Sequence, residues 1–336
     1  MTLTTRLTEF FGIEHPILLA PMAMVSGGRL AAAVTAAGGL GLIGGGYGDT
    51  AWLQSEFDRA AGTRVGAGFI TWRLVGNPGL LDEVLARQPA TIMLSFGELR
   101  PFADRIRSAG VPLTVQVQNL DHARQALDAG AEIVVAQGGE AGGHGMTGRS
   151  TFTLVPDVAD LVAARSPETL VVAAGGVADG RGLAAALALG ADGALVGTRF
   201  WASTEALVSA RAQQRAIGTS GDQTVRTRVY DLVRQLDWPA EYTVRALGNP
   251  FLDTWHGHEE QLSGSLAEAV EAFQTATAAE DFDTAAIIIG EAVGLVRQIR
   301  PAADIVHDMV GEAGKILCGA QYRGDQLDVR SSRLCH

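Results

Sequence analysis

Short runs of aliphatic and β-branched residues alternate along the chain with alanine-rich stretches whose apolar positions recur at helical spacing. This is the pattern of repeated strand–helix units feeding a parallel sheet. The apolar runs predict strands over 17–22, 40–43, 64–71, 91–95, 113–117, 132–136, 170–174 and 193–196. Helices are expected near 27–37, 50–61, 79–87, 98–109, 120–129, 155–165 and 180–189, several ending at a glycine suited to a left-handed cap, such as Gly110, Gly130 and Gly190.

The junctions repeat weakly: AGG-LGLI, AGV-PLTV, AGA-EIVV and LGA-DGAL each join a helix to the next strand. Such reuse of one supersecondary unit, eight strands in all, predicts a (β/α)8 TIM barrel. A doubly wound sheet would announce itself by a G-x-G-x-x-G turn after its first strand, where this chain reads APMAMVSGG.

From about 206 to 300 the strand signals stop and the text turns polar and helical, with Pro250, Trp238 and Trp255 in its loops. This stretch reads as a smaller helical insertion or lid. Apolar spacing resumes at Ile305, Met309, Val310 and Ala313, so a last helix is expected on the barrel wall. The division is therefore a barrel over 1–205 plus 301–320 and a lid over 206–300.

Composition narrows the class. The 336 residues are 47% hydrophobic and 19% charged with 42 glycines, which suits many small-residue contacts and tight turns in a folded chain. A formal net charge of −11 argues against nucleic acid or an anionic membrane as partner, because either needs a basic face. Two cysteines, Cys318 and Cys335, provide no disulfide framework and fit a reducing cytoplasm. The first residues lack the charged and apolar regions of a signal peptide, and Leu30 to Gly48 is too glycine-rich for a membrane helix.

In such a barrel, chemistry gathers at the C-terminal ends of the strands. After strand seven comes Gly175-Gly176, and after strand eight Gly197-Thr198. Glycine lets backbone N–H groups approach a phosphate closely, so both loops can take an anion without lysine; each alone can equally be a tight turn. Pro21-Met22 ends strand one and can set backbone against a planar ligand, while Gly68 removes a side chain from strand three. Gln116 and Gln118 share one face of strand five, and a pair of amides there needs partners.

Strand six runs into QGGEAGGHGM, residues 137–146, which sets His144 among glycines. A lone histidine is more often structural than chemical, but its ordinary pKa suits proton abstraction near neutrality. WHGHEE at 255–260 has metal-like letters but no third distant ligand, and reads as an exposed polar loop.

The set APM at 20–22, GFITW at 68–72, VQVQ at 115–118, QGGEAGGHG at 137–145, AAGGVADG at 173–180 and GTRF at 197–200 resembles the nitronate monooxygenase family, formerly 2-nitropropane dioxygenases. The resemblance implies an FMN-binding barrel with His144 as the active-site histidine. It places the FMN phosphate on Gly175, Gly176, Gly197 and Thr198, and the ring against Pro21, Met22, Gly68, Gln116, Gln137, Gly142 and Gly143. Some members of the family carry lysine where Gln116 aligns. The implied reaction takes an alkyl nitronate or nitroalkane and O2 to a carbonyl compound and nitrite, with no metal. His144 either removes the α-proton or only places an anion. Two other readings stay open: a flavin enoyl-acyl-carrier-protein reductase using NAD(P)H, and a flavin-binding protein without turnover. The assembly is open too, a homodimer included.

Overall fold

The computed structural model describes residues 3–319 together with the backbone of 321–323 and 326–328; Cys335 lies outside the described residues. In chain order the strands are β1 (Ile17–Leu19), β2 (Leu42–Gly44), β3 (Gly66–Ile70), β4 (Ile92–Ser95), β5 (Leu113–Val117), β6 (Ile133–Gln137), β7 (Gly143–Gly145), β8 (Leu170–Ala174), β9 (Gly193–Val196), β10 (Thr224–Thr227), β11 (Thr243–Leu247), β12 (Gln321–Arg323) and β13 (Gln326–Asp328). Eight of them pair in parallel in the order β1-β9-β8-β6-β5-β4-β3-β2, and a parallel bridge from Leu18 to Leu40 joins the two edges. The (β/α)8 barrel expected from the eight apolar runs is the fold, with each of those runs supplying one barrel strand.

The barrel strands are buried on both faces because alternate side chains serve two cores. Ile17, Leu19, Val134 and Ala136 face the surrounding helices, whereas Leu18, Ile133, Val135, Val172 and Leu195 fill the interior. The helix Arg6–Phe11, which the sequence pattern did not suggest, sends Leu7 and Phe11 into that inner cluster. Leu113, Val115 and Val117 of β5 belong to the outer core, so Thr114 and Gln116 point inward.

The repeated junctions acquire a physical reason. In AGA-EIVV the Glu132 carboxylate accepts from the N–H of Leu113 at 2.8 Å, and in LGA-DGAL the Asp192 carboxylate accepts from Val171 at 2.9 Å. An acid at the foot of one strand thus holds an N–H at the start of its neighbour. Burial raises the Asp192 pKa, opposed by the Val171 hydrogen bond and the charge of Arg6.

Helix Thr151–Arg165 begins four residues before its expected start, because the Glu140 carboxylate receives the N–H of Thr151 at 3.0 Å. Helix Ala302–Leu317 packs against helices Gly180–Ala188 and Gly28–Ala36, and Glu312 accepts from Gly180 N–H at 2.7 Å. Between β9 and this helix, the insertion holds helices such as Ala210–Ala216 and Leu266–Ala279. It also holds β10 and β11, which the polar text had concealed. These two strands pair antiparallel, and β11 pairs with β7, inside the glycine-rich stretch after strand six. No helix among the described residues is long and apolar enough to cross a membrane.

Glu132→Ala leaves the Leu113 N–H without its partner at a partly buried site, and should lower unfolding free energy by about 1–3 kcal/mol. Urea denaturation measures this; an unchanged midpoint would deny the carboxylate its role at the strand foot.

Candidate active site

His144 is the central residue of β7 and pairs in register with Val244 of β11. Gly143 reaches this geometry with φ +71, a left-handed value that glycine adopts freely. A half-buried guanidinium then fixes the segment. Arg226 on β10 donates to the carbonyls of Gly139 at 2.8 Å, Ala141 at 3.0 Å, Gly145 at 3.2 Å and Thr243 at 2.6 Å, with Gly143 at 3.4 Å. Arg245 adds a bond to Gly139 at 3.0 Å and an ion pair with Glu291. Burial, first, and the charge of Arg245, second, bring the Arg226 pKa down to about 10, so the group keeps its charge at neutral pH.

The imidazole is buried, and its Nε2 lies 2.8 Å from Oδ1 of Asp231, a residue 2% exposed in helix Val229–Val233. A carboxylate can only accept from a neutral imidazole, so Nε2 carries the hydrogen and Nδ1 carries the lone pair. No group among the described residues hydrogen-bonds Nδ1, which makes it the basic atom of the pair. Burial lowers the His144 pKa from 6.5; the hydrogen bond and charge of Asp231 oppose this, while the charges of Arg234 and Arg226 add to it. His144 is therefore neutral at pH 7. The two guanidiniums favour an anion beside His144, while Glu140 and Glu291 offset part of the charge of Arg226 and Arg245.

Aromatic rings surround the imidazole. Trp238 stacks on it with ring centroids 3.4 Å apart and planes 7° from parallel, and Phe96 meets it edge-on at 6.5 Å. Trp238 Nε1 donates to the Tyr47 hydroxyl at 3.2 Å.

The expected cofactor residues fall into three joined groups. Pro21 packs so closely on Gly68 that a Cβ there would meet its Cγ at 2.2 Å, and the space beside Gly197 is bounded by Ala20 and the sulfur of Met22. Gln116 and Gln118 both donate to Gln137 Oε1, at 3.0 and 2.9 Å, and Gln137 donates onward to the His144 carbonyl at 3.2 Å. The amide pair of strand five thus finds its partner in the first residue of the histidine motif. Gly175 and Gly176 turn with φ +106 and +73 beside Gly138 and Glu140.

A flat ring with a phosphate finds suitable donors here. The N–H groups of Gly175, Gly176 and Thr198 reach no protein acceptor among the described residues, and glycine leaves the first two unobstructed. Thr198 Oγ1 accepts from Gly290 N–H at 3.0 Å, leaving its backbone N–H for an anion, and Gly142 packs against Gly290, where a Cβ would meet the backbone nitrogen at 2.5 Å.

Asp231, Trp238 and the clamp role of Arg226 escaped sequence reasoning. The signal for Asp231 was present: one carboxylate inside the apolar run VYDLV, residues 229–233. His256 and Glu259 face each other at 3.8 Å at an exposed position, and no group of three or more His, Cys, Asp or Glu set to hold a metal occurs among the described residues. Two surface hollows, of about 470 Å³ beside Arg211 and Asp283 and about 370 Å³ beside Arg6 and Asp192, lie away from His144. The chemistry, rather than either hollow, identifies the site.

Comparison with known proteins gives a consistent picture. The family model for nitronate monooxygenase matches residues 4–62 and 74–312. A nitronate monooxygenase of Neurospora crassa is 31% identical, covering 92% of this chain and 92% of its own. Among solved structures, FabK from Thermotoga maritima matches with a TM-score of 0.82 at 30% identity over 94% of this chain and 98% of its own. A nitroalkane oxidase from Streptomyces ansochromogenes matches with a TM-score of 0.77 at 27% identity over 93% and 99%.

Asp231→Asn removes the charge that raises the proton affinity of His144, so the imidazole midpoint, already below 6.5, should move lower. NMR titration of the ring protons reads this directly, and an unmoved midpoint would mean that the pair is not coupled.

Proposed function

Because the chain belongs to the nitronate monooxygenase family of flavin-dependent oxidoreductases, we propose that it binds FMN and oxidises alkyl nitronates, and nitroalkanes, with O2 to a carbonyl compound and nitrite. The observation that carries this reading is the buried His144–Asp231 pair, whose Nδ1 has no hydrogen-bond partner among the described residues.

FMN would be held with its phosphate on the N–H groups of Gly175, Gly176, Gly197 and Thr198. Its ring would lie among Pro21, Met22, Gly68, Gln116, Gln137, Gly142 and Gly143. When bound, the flavin supplies the electron acceptor and the point of reaction with O2. The protein supplies proton handling and placement. For a neutral nitroalkane, His144 Nδ1 takes the α-proton, and the Asp231 carboxylate stabilises the imidazolium so formed through Nε2–H. For a nitronate already ionised, the Nδ1 lone pair has no hydrogen to offer, and the nearby charges of Arg226 and Arg234 would attract the anion. Trp238 and Phe96 keep water from the imidazole. The three amides of Gln116, Gln118 and Gln137 support the strand from below through the His144 carbonyl. Two cysteines and no apparent need for disulfides fit the cytoplasm as the setting.

The likeness to FabK favours a second reading, reduction of an enoyl thioester on an acyl carrier by NAD(P)H. Scattered surface arginines on a chain of net charge −11 are a poor docking face for an acidic carrier, so the nitronate reading is preferred.

The purified protein should be yellow and release FMN on denaturation, and should consume O2 with an alkyl nitronate in the absence of NAD(P)H. A colourless protein that cannot be reconstituted with FMN would sink the cofactor proposal; NADPH-driven turnover of an enoyl thioester would transfer the assignment to the reductase. His144→Ala should keep FMN and lose about 10²- to 10⁴-fold in rate on neutral nitroalkanes. In the unaltered enzyme, kcat/KM for a neutral nitroalkane should be flat above neutrality and fall as pH drops through an inflection below 6.5, because the base must be unprotonated. An inflection above 7 would remove His144 as the base.

A further inference from the structure

Four of the nine Trp and Tyr residues of the chain, Tyr47, Trp72, Trp238 and Tyr242, gather with Phe96 on one side of His144. They come from separate places: Tyr47, Trp72 and Phe96 from the ends of β2, β3 and β4, and Trp238 and Tyr242 from the connection that leads into β11. Ring centroids lie 5.4 Å apart for Trp72 and Trp238, and 5.1 Å for Phe96 with both Trp238 and Tyr242, all edge to face. A hydrophobic core needs no such convergence at the mouth of a barrel whose interior is already filled by aliphatic residues.

Two further observations separate this cluster from ordinary packing. Phe96 sits at φ +64, a left-handed value disfavoured for a bulky residue, and such strain gathers at sites where a side chain must be placed for a purpose. The indole Nε1 of Trp72 is buried without a hydrogen-bond partner, so the box holds an unspent donor that a nitro or nitronate oxygen can take. Burial raises the pKa values of Tyr47 and, to about 12, of Tyr242, so both phenols stay neutral and the walls carry no charge of their own. The stack of Trp238 on the imidazole shows that this face accepts a flat π system at contact distance.

We propose that these five rings form the substrate's side-chain box and select nitronates bearing a flat or extended apolar substituent over small or charged ones. This rests on the nitronate reading and adds the substrate class to it. Trp238 swings off the imidazole to lie along the substituent, which is also held by the edges of Phe96 and Tyr242. The Trp238 connection, residues 235–242, has no regular secondary structure and can give way more readily than the strands.

The test uses the FMN-loaded enzyme and the nitronates of nitroethane, 1-nitrobutane, 1-nitrohexane and phenylnitromethane, with a nitronate of hexyl length ending in a carboxylate. Burial is worth up to about fourfold per methylene, so kcat/KM should rise at least about tenfold from ethyl to hexyl, with phenyl near hexyl and the carboxylate at least about tenfold below hexyl. Tyr242→Ala and Trp238→Leu should each flatten the series. A flat series in the unaltered enzyme overturns the box. So does a preference for the carboxylate, which would assign recognition to Arg234, a guanidinium 5.3 Å from the Tyr47 ring with no ion-pair partner among the described residues. If no nitronate is oxidised, the functional reading fails by itself, and calorimetry with neutral 1-nitrohexane and nitroethane still decides the box: tighter binding of the longer compound supports it, equal binding overturns it.

Discussion

A single guanidinium holds the chemistry of this barrel in place. The loop after strand six is rich in glycine, which costs the most backbone entropy to order and has few side chains to anchor it. Arg226 compensates by gathering its carbonyl groups from Gly139 to Gly145 around one half-buried cation. Because Arg226 comes from β10, the anchoring side chain is supplied by the insertion. The orientation of His144, its bond to Asp231 and its stack under Trp238 all follow from that attachment, since each partner also comes from the insertion.

The chain is acidic overall, with a net charge of −11, yet the field at His144 is set by a few nearby groups, Asp231, Arg226 and Arg234. At the other end of the chemistry, the loops at 175–176 and 197–198 present backbone N–H groups in place of lysine. Exposed surface charges are screened by salt, so local dipoles and buried charges set the field at the site whatever the overall balance.

The barrel was legible because parallel strands covered on both faces are written as continuous apolar runs, and the ends of its helices are marked by glycines such as Gly110 and Gly130. His144 was legible because its glycines isolate it in the text. The strands β7, β10 and β11 were not: Gly143-His-Gly145 has the wrong composition for a strand, and Arg226 and Arg245 interrupt the apolar alternation of the other two. Their polarity, which looked like solvent exposure, belongs to a clamp directed inward. Asp231 was hidden for another reason: its partner is 87 residues away, and no local period records a contact of that separation.

The pairing of β7 with β11 also has an evolutionary consequence. An insertion that merely covered a barrel could be exchanged among relatives as a cassette, leaving His144 behind in its own loop. Here the backbone of the histidine segment is one strand of the insertion's sheet, so any recombination that divides them separates the imidazole from its carboxylate. The two segments, distant in the chain, have to be inherited together.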